Sequence, residues 1–109
     1  MNSKHEIQII WEYIVKNEYL KDFIRVYSSS GEWAKLFSRC PGYIKTELKR
    51  DTVDRQKFIT IDFWESRSSF SVMKQVIGLE YDLIDKKCKT YTLSEKKIGV
   101  FRNIKEFER

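Results

Sequence analysis

The stretch Lys57 to Glu65, KFITIDFWE, places Ile59, Ile61 and Phe63 on one face of an extended chain and Phe58, Thr60, Asp62 and Trp64 on the other. A period of two with apolar side chains on both faces belongs to a strand with neighbours on either side, since a half-wet strand keeps only one apolar row. Ile7 to Val15 has the same character: Ile7, Ile9, Trp11, Tyr13 and Val15 are all apolar or aromatic, and Gln8, Ile10, Glu12 and Ile14 alternate between them. These two segments, far apart in sequence, predict the centre of a sheet.

Between them, Tyr19, Phe23 and Tyr27 recur every four residues beside Leu20 and Ile24, which is one stripe of a helix. Ser28 to Gly31 interrupt it. Ser29 with Glu32 reads as a capping box for a second, short helix through Trp33, Leu36 and Phe37, and Cys40, Pro41 and Gly42 close it. Tyr43 to Lys49 then alternates like a half-exposed edge strand, with residues 50–56 as its hairpin loop.

After Glu65, Ser66 is placed to cap a helix carrying Phe70, Met73 and Ile77 on one side. Gly78 predicts a break before Leu79, Leu83 and Ile84 resume the spacing, and Thr92 with Glu95 suggests a further cap-like turn. The last strand is expected over Ile98 to Ile104, followed by a charged tail, Lys105 to Arg109, expected to fray.

The order β-α-β-β-α-β predicts an α+β, ferredoxin-like fold. It has a four-stranded antiparallel sheet, the first and third strands in the middle and both helices on one face. With 109 residues and no composition break, residues 1–109 are expected to form one domain with a core over about 6–104. The uncovered face would carry Ile10 and Ile14 with either Phe58 and Trp64 or Ile59 and Phe63, depending on register, an apolar patch large for a lone molecule. A second copy packed face to face is the simplest cover, giving a homodimer of the dimeric α/β barrel type.

Composition narrows the function classes. No apolar run approaches the ~20 residues of a membrane helix, and the start of the chain lacks a signal-peptide layout, so the expected location is the cytoplasm. Cys40 and Cys88 then read as reduced thiols, with no metal-ligand spacing around either. The net charge of +5 comes from 21 Lys and Arg interleaved with 16 Asp and Glu, clustered only at Lys86, Lys87, Lys89, Lys96 and Lys97. An RNA-recognition domain shares the element order and a basic pI, but its third strand needs glycines, and residues 55–63 contain none, so no nucleic acid is expected. Ser28 to Ser30 have no partner base at useful spacing, and Gly31, Gly42, Gly78 and Gly99 form no phosphate-binding motif, so no cofactor is expected.

Trp11-Glu12-Tyr13-Ile14-Val15, Tyr27, Gly31-Glu32-Trp33-Ala34, Leu36-Phe37, Pro41-Gly42-Tyr43 and Ile61-Asp62-Phe63-Trp64-Glu65-Ser66 occur in that order. Together they resemble the antibiotic-biosynthesis-monooxygenase type of dimeric α/β barrel, over roughly Gln8 to Arg102. The resemblance implies cofactor-free oxygenases of aromatic polyketides or quinones, haem-degrading enzymes, or small proteins without known activity. In the haem-degrading branch Trp64 would match a catalytic Trp. That branch also uses a His on the following helix and an Asn on the first strand, where this chain has no His and offers Glu12 and Tyr13.

Asp62, a carboxylate in mid-strand, is the leading candidate base, since lost solvation must leave it paired or protonated. A base that deprotonates a phenol or hydroquinone yields an electron-rich anion able to react with dioxygen, which makes a cofactor-independent monooxygenase of a small aromatic compound the leading functional reading. The alternative for Asp62 is an ion pair with Lys45, Arg55 or Arg102. Glu12 is the second catalytic candidate if its register agrees, and otherwise a cross-strand partner for a Lys. Tyr13, Trp33, Phe37 and Trp64 are expected to line a ligand pocket or to fill the core. The competing functional reading is a homodimer that binds a small ligand or a partner without catalysis.

Overall fold

The computed structural model describes residues 5–104. Four strands, β1 (Ile7–Val15), β2 (Tyr43–Arg50), β3 (Lys57–Trp64) and β4 (Thr92–Phe101), form one antiparallel sheet in the order β2-β3-β1-β4. β1 and β3 are the inner pair, as their two-sided apolar patterns predict. Their register sets Ile7 opposite Trp64, Ile9 opposite Asp62, Trp11 opposite Thr60 and Tyr13 opposite Phe58. All of these point to the side that the helices cover.

Four helices, α1 (Leu20–Tyr27), α2 (Glu32–Phe37), α3 (Arg67–Ser71) and α4 (Met73–Cys88), provide that cover, with a 3-10 turn at Asn17–Tyr19 leading into α1. α1 inserts Phe23, Val26 and Tyr27, α2 inserts Trp33, Leu36 and Phe37, and α4 inserts Met73, Ile77 and Cys88 into one core with Ile7, Ile9, Phe58 and Trp64. Aromatic rings dominate the contact. Phe23 stacks on Tyr27 at 4.1 Å between centroids and meets Phe58 at 5.0 Å, geometries that add modestly to plain area burial. Cys40 and Cys88 are both buried free thiols.

Several local expectations change. α2 is capped by Gly31 without a side-chain bond, so the Ser29 and Glu32 capping box is absent; Gly31 instead lies so close to the end of α1 that an added Cβ would meet the Val26 carbonyl oxygen at 2.4 Å. Ser66 does cap the next helix, but its partner is Ser69, the two side chains bonding each other's backbone N–H. α4 kinks at Ile77, beside the glycine that predicts a break.

β4 begins at Thr92, six residues before the expected start, and absorbs Thr92 and Glu95 into the sheet. Its ladder to β1 slips twice, leaving Leu93 and Ile98 as extra residues, 65% and 43% exposed. These bulges scramble the period of two that would have revealed the strand. A third slip, between Tyr43 and Lys45, leaves Ile44 of β2 without a partner in β3. The tail Lys105 to Arg109 lies outside the described residues.

The register also settles the uncovered face. It carries Ile10, Ile14, Ile59, Ile61 and Phe63, while Phe58 and Trp64 belong to the core. Charged residues flank the apolar band: Lys57 pairs with Glu12 at 3.5 Å, and Lys45 sets its ammonium 4.8 Å above the Phe63 ring.

Gly42 ties the two halves at the entry to β2. Its φ of +87° is left-handed, its carbonyl accepts the Glu65 N–H at 2.7 Å, and an added Cβ would meet the Ser69 Cβ at 2.4 Å. Nothing lies within 4 Å of a Cβ built on Gly78 in α4. Gly42→Ala is therefore expected to lower stability by more than about 1 kcal/mol, and Gly78→Ala to raise it by roughly 0.5 kcal/mol, read as opposite shifts of the urea midpoint at unchanged slope.

Candidate functional site

Since side chains alternate along a strand, the register that buries Phe58 and Trp64 also turns Thr60 and Asp62 toward the helices. Thr46 of β2 lies directly across from Asp62. A pocket opens above these three, between the sheet and α1, α2 and α4, walled by Trp11, Tyr13, Tyr27, Trp33, Phe37 and Tyr81, with Asp85 and Glu95 completing the lining. About 500 Å³ is free of protein atoms when the open mouth is included, and about 70 Å³ of it admits the centre of a water molecule. That space has room for on the order of five waters, the displacement of one six-membered ring.

Asp62 is half-buried and accepts a 2.6 Å hydrogen bond from the Thr46 hydroxyl. The Tyr43 hydroxyl lies 2.7 Å from the same Thr46 oxygen. Thr46 has a single proton, which it spends on Asp62, so Tyr43 must be the donor in the second bond. The result is an ordered series, Tyr43 to Thr46 to Asp62, with every donor pointing at the carboxylate.

Burial pushes the Asp62 carboxyl up from its ordinary 3.8 to about 6, with the Thr46 bond working the other way. Among the described residues no Lys or Arg pairs with it; the Thr46 hydroxyl stands where the alternative reading put an ion pair with Lys45, Arg55 or Arg102. Burial likewise raises the Tyr13 and Tyr27 hydroxyls and pushes Tyr81 up to about 12, so the tyrosine walls stay protonated near neutrality. Glu95 is raised as well, first by burial and then by the like charge of Asp85.

Of the residues singled out in the sequence, Asp62, Tyr13, Trp33 and Phe37 meet in this pocket. Glu12 does not: it faces Ile59 on the uncovered side and pairs with Lys57, the lysine alternative. Trp64 is fully buried among Phe37, Tyr43 and Phe70, at ring centroid distances of 5.6, 5.3 and 5.8 Å, and is core rather than lining. Thr46, Thr60, Trp11, Tyr27, Tyr81, Asp85 and Glu95 were not singled out. Thr60 could have been, since it stands two residues from Asp62 on one face of β3; Tyr81 and Asp85 share the i, i+4 spacing of one helix face. Glu95 was hidden by the bulges of β4.

The pocket's carboxylates do not converge: among the described residues, no three His, Cys, Asp or Glu side chains form a metal-binding group. Nor is any helix among them long and apolar enough to cross a membrane.

No family model and no curated protein sequence matches the chain. Solved structures do. SnoaB, a cofactor-independent oxygenase from Streptomyces nogalater, superposes with a TM-score of 0.73 at 13% identity, covering 96% of this chain and 99% of its own. This chain has the antibiotic-biosynthesis-monooxygenase fold. Proteins named as antibiotic biosynthesis monooxygenases agree: one from Nitrosomonas europaea has a TM-score of 0.71 at 13% identity, covering 97% of both chains. Another, from Bordetella bronchiseptica, has a TM-score of 0.72 at 17% identity, covering 93% of this chain and 99% of its own. At such identities the likeness speaks to architecture, and residue roles must come from the geometry.

The Asp62 environment makes stability depend on pH. With a raised carboxyl, the folded chain keeps a proton that the unfolded chain releases, so stability is full below about pH 4 and falls as pH rises through about 6. Asp62→Asn removes that loss. Urea denaturation should show the variant gaining on the parent between pH 4 and pH 7 by on the order of 2 kcal/mol. A pH-independent difference between the two would contradict the burial of this carboxylate.

Proposed function

We propose that the chain is a cofactor-independent monooxygenase of the antibiotic-biosynthesis-monooxygenase family that oxidises a small, single-ring phenol or hydroquinone, with Asp62 as general base. The observation that carries this reading is the Asp62 carboxylate, shifted to about 6 and set against Thr46 and Thr60 beneath a wall of aromatic rings. The ring-sized space favours one ring over a fused polycycle.

The chemistry balances without an external reductant. Asp62 takes the phenol proton, and a ring carbon that carries hydrogen, para to the phenolate oxygen or, in a hydroquinone, ortho to it, bonds to dioxygen. The resulting hydroperoxide, protonated in turn, loses water to leave the quinone. One oxygen atom ends in the product and the other in water, and the substrate supplies all four electrons. The Thr46 and Tyr43 hydroxyls, aligned behind Asp62, steady its ionised form.

Oxygen uptake with a panel of phenols and hydroquinones tests the role. The parent rate should rise with pH through about 6, and Asp62→Asn should lose most of it, about 100-fold or more. Thr46→Val removes the bond that holds the carboxyl down, so its profile should move to higher pH. Equal rates for parent and Asp62→Asn would refute the assignment. If the ligands still bind without oxygen uptake, the non-catalytic binding reading takes its place.

The working form we propose is a homodimer through the uncovered sheet face. Its half-buried band of Ile10, Ile59, Ile61 and Phe63, with Phe101 46% exposed beside it, costs free energy in water that a second copy packed about a two-fold axis would recover. Aliphatic side chains at its centre suit a second copy better than stacked bases. Sedimentation equilibrium at micromolar concentration should give twice the 13.2 kDa chain mass, and Ile61→Glu should give a folded monomer. A parent that sediments as a single chain would overturn the dimer.

A further inference from the structure

On the reading of Asp62 as the base, the reaction needs a proton at oxygen twice: once when the peroxide forms, and again when the O–O bond breaks. The proton that Asp62 takes from the phenol serves the first. In the second step Asp62 is the base again, removing the hydrogen of the oxygenated ring carbon, and cannot also be the acid. We propose that the hydroxyl of Tyr13 is the second catalytic group, the acid that delivers this proton.

Register and packing place that hydroxyl. Tyr13 stands opposite Phe58, two residues along β3 from Thr60 and four from Asp62, all on the covered face. Two residues of strand are about 7 Å, a distance that a tyrosine side chain spans. The Tyr13 ring is held by Phe23 at 5.2 Å, Tyr27 at 5.0 Å and Trp11 at 6.4 Å between centroids. Four groups act on its hydroxyl, Thr60 and Asp62 from β3, Glu95 from β4 and Tyr81 from α4, and every one of them lines the pocket. Tyr27 of α1, its remaining titratable neighbour, turns its own hydroxyl to Cys88 and Trp33 instead.

The two inner strands thus present an acid and a base to one space, with their environments set apart. Burial keeps Tyr13 protonated, while Asp62 gives up its proton near 6. Thr60, itself 3% exposed, stands between them on β3, and its hydroxyl acts on the Tyr13 oxygen as a donor does. That leaves the Tyr13 proton for the pocket.

The step balances as follows. Asp62 takes the proton of the ring C–H, and the electron pair of that bond becomes the second bond of the new carbonyl. The O–O bond breaks, and the distal hydroxyl group takes the Tyr13 proton and leaves as water. Tyr13 then recovers a proton from Asp62 through the Thr60 hydroxyl, and both groups are as they began. Without the acid, the hydroperoxide of a hydroquinone has another exit: its C–O bond breaks, the second ring hydroxyl loses its proton, and hydrogen peroxide departs from an unoxygenated quinone.

That exit supplies the test. Tyr13→Phe keeps the ring and removes only the hydroxyl. Oxygen uptake and hydrogen peroxide release are followed together with a hydroquinone as probe, and anaerobic calorimetry follows its binding. Tyr13→Phe should bind the hydroquinone as the parent does and keep the rise of rate through about pH 6. It should lose about 100-fold in formation of oxygenated quinone, its remaining uptake returning one hydrogen peroxide for each dioxygen. Thr60→Val should release peroxide in the same way with a smaller loss, and it decides alone should Tyr13→Phe not fold. Parent rates without peroxide overturn the proposal; so does a slowed variant without peroxide, which marks a packing role. Asp62-dependent uptake left unchanged by Tyr13→Phe would sink only this acid, whereas a parent without uptake would sink the base and the acid together.

Discussion

The pairing of β1 with β3 is the constraint on which the rest of the molecule depends. Tyr13 opposite Phe58 and Ile7 opposite Trp64 bury one row of each strand under the helices. Since the side-chain period is two, the same pairing fixes the direction of everything between them. A slip of one residue in β3 would send Asp62, Thr60 and Trp64 to the outer face and bring Ile59 and Ile61 inward. Core and pocket are thus one decision, made by the apolar pattern of two segments about fifty residues apart in sequence.

The fold was largely legible because those two segments carry apolar residues on both faces, a pattern only an inner strand requires. Helices α1 and α4 were readable from four-residue spacing, and Ser66 from its place ahead of a helix. β4 was misplaced for a physical reason: bulges at Leu93 and Ile98 break the alternation by which a strand is recognised. The cap of α2 was misread because close approach of the chain to the end of α1 demanded glycine there, an interaction invisible to local patterns.

The site was legible in part. A carboxylate in mid-strand marks itself, and Asp62 stands where the surrounding strands and helices strip away much of its solvation. Glu12 looked equivalent in sequence, and only strand pairing sends it to the other face, beside Lys57. Trp64 shows the limit of reading rings as pocket walls, since α3 and Tyr43 close over it entirely. Thr46 and Glu95 belong to edge strands, and their relation to Asp62 exists only once the sheet is assembled.

The three residues left out of the ladder, Ile44, Leu93 and Ile98, all belong to β2 and β4, the two outermost strands. An edge strand offers unpaired backbone groups to any passing chain, and irregularities that bend it spoil the template for lateral growth. Both margins of this sheet are roughened in that way, so side-by-side polymerisation is discouraged at either end. The broad apolar face has no such irregularity, and it is the face through which the homodimer is proposed.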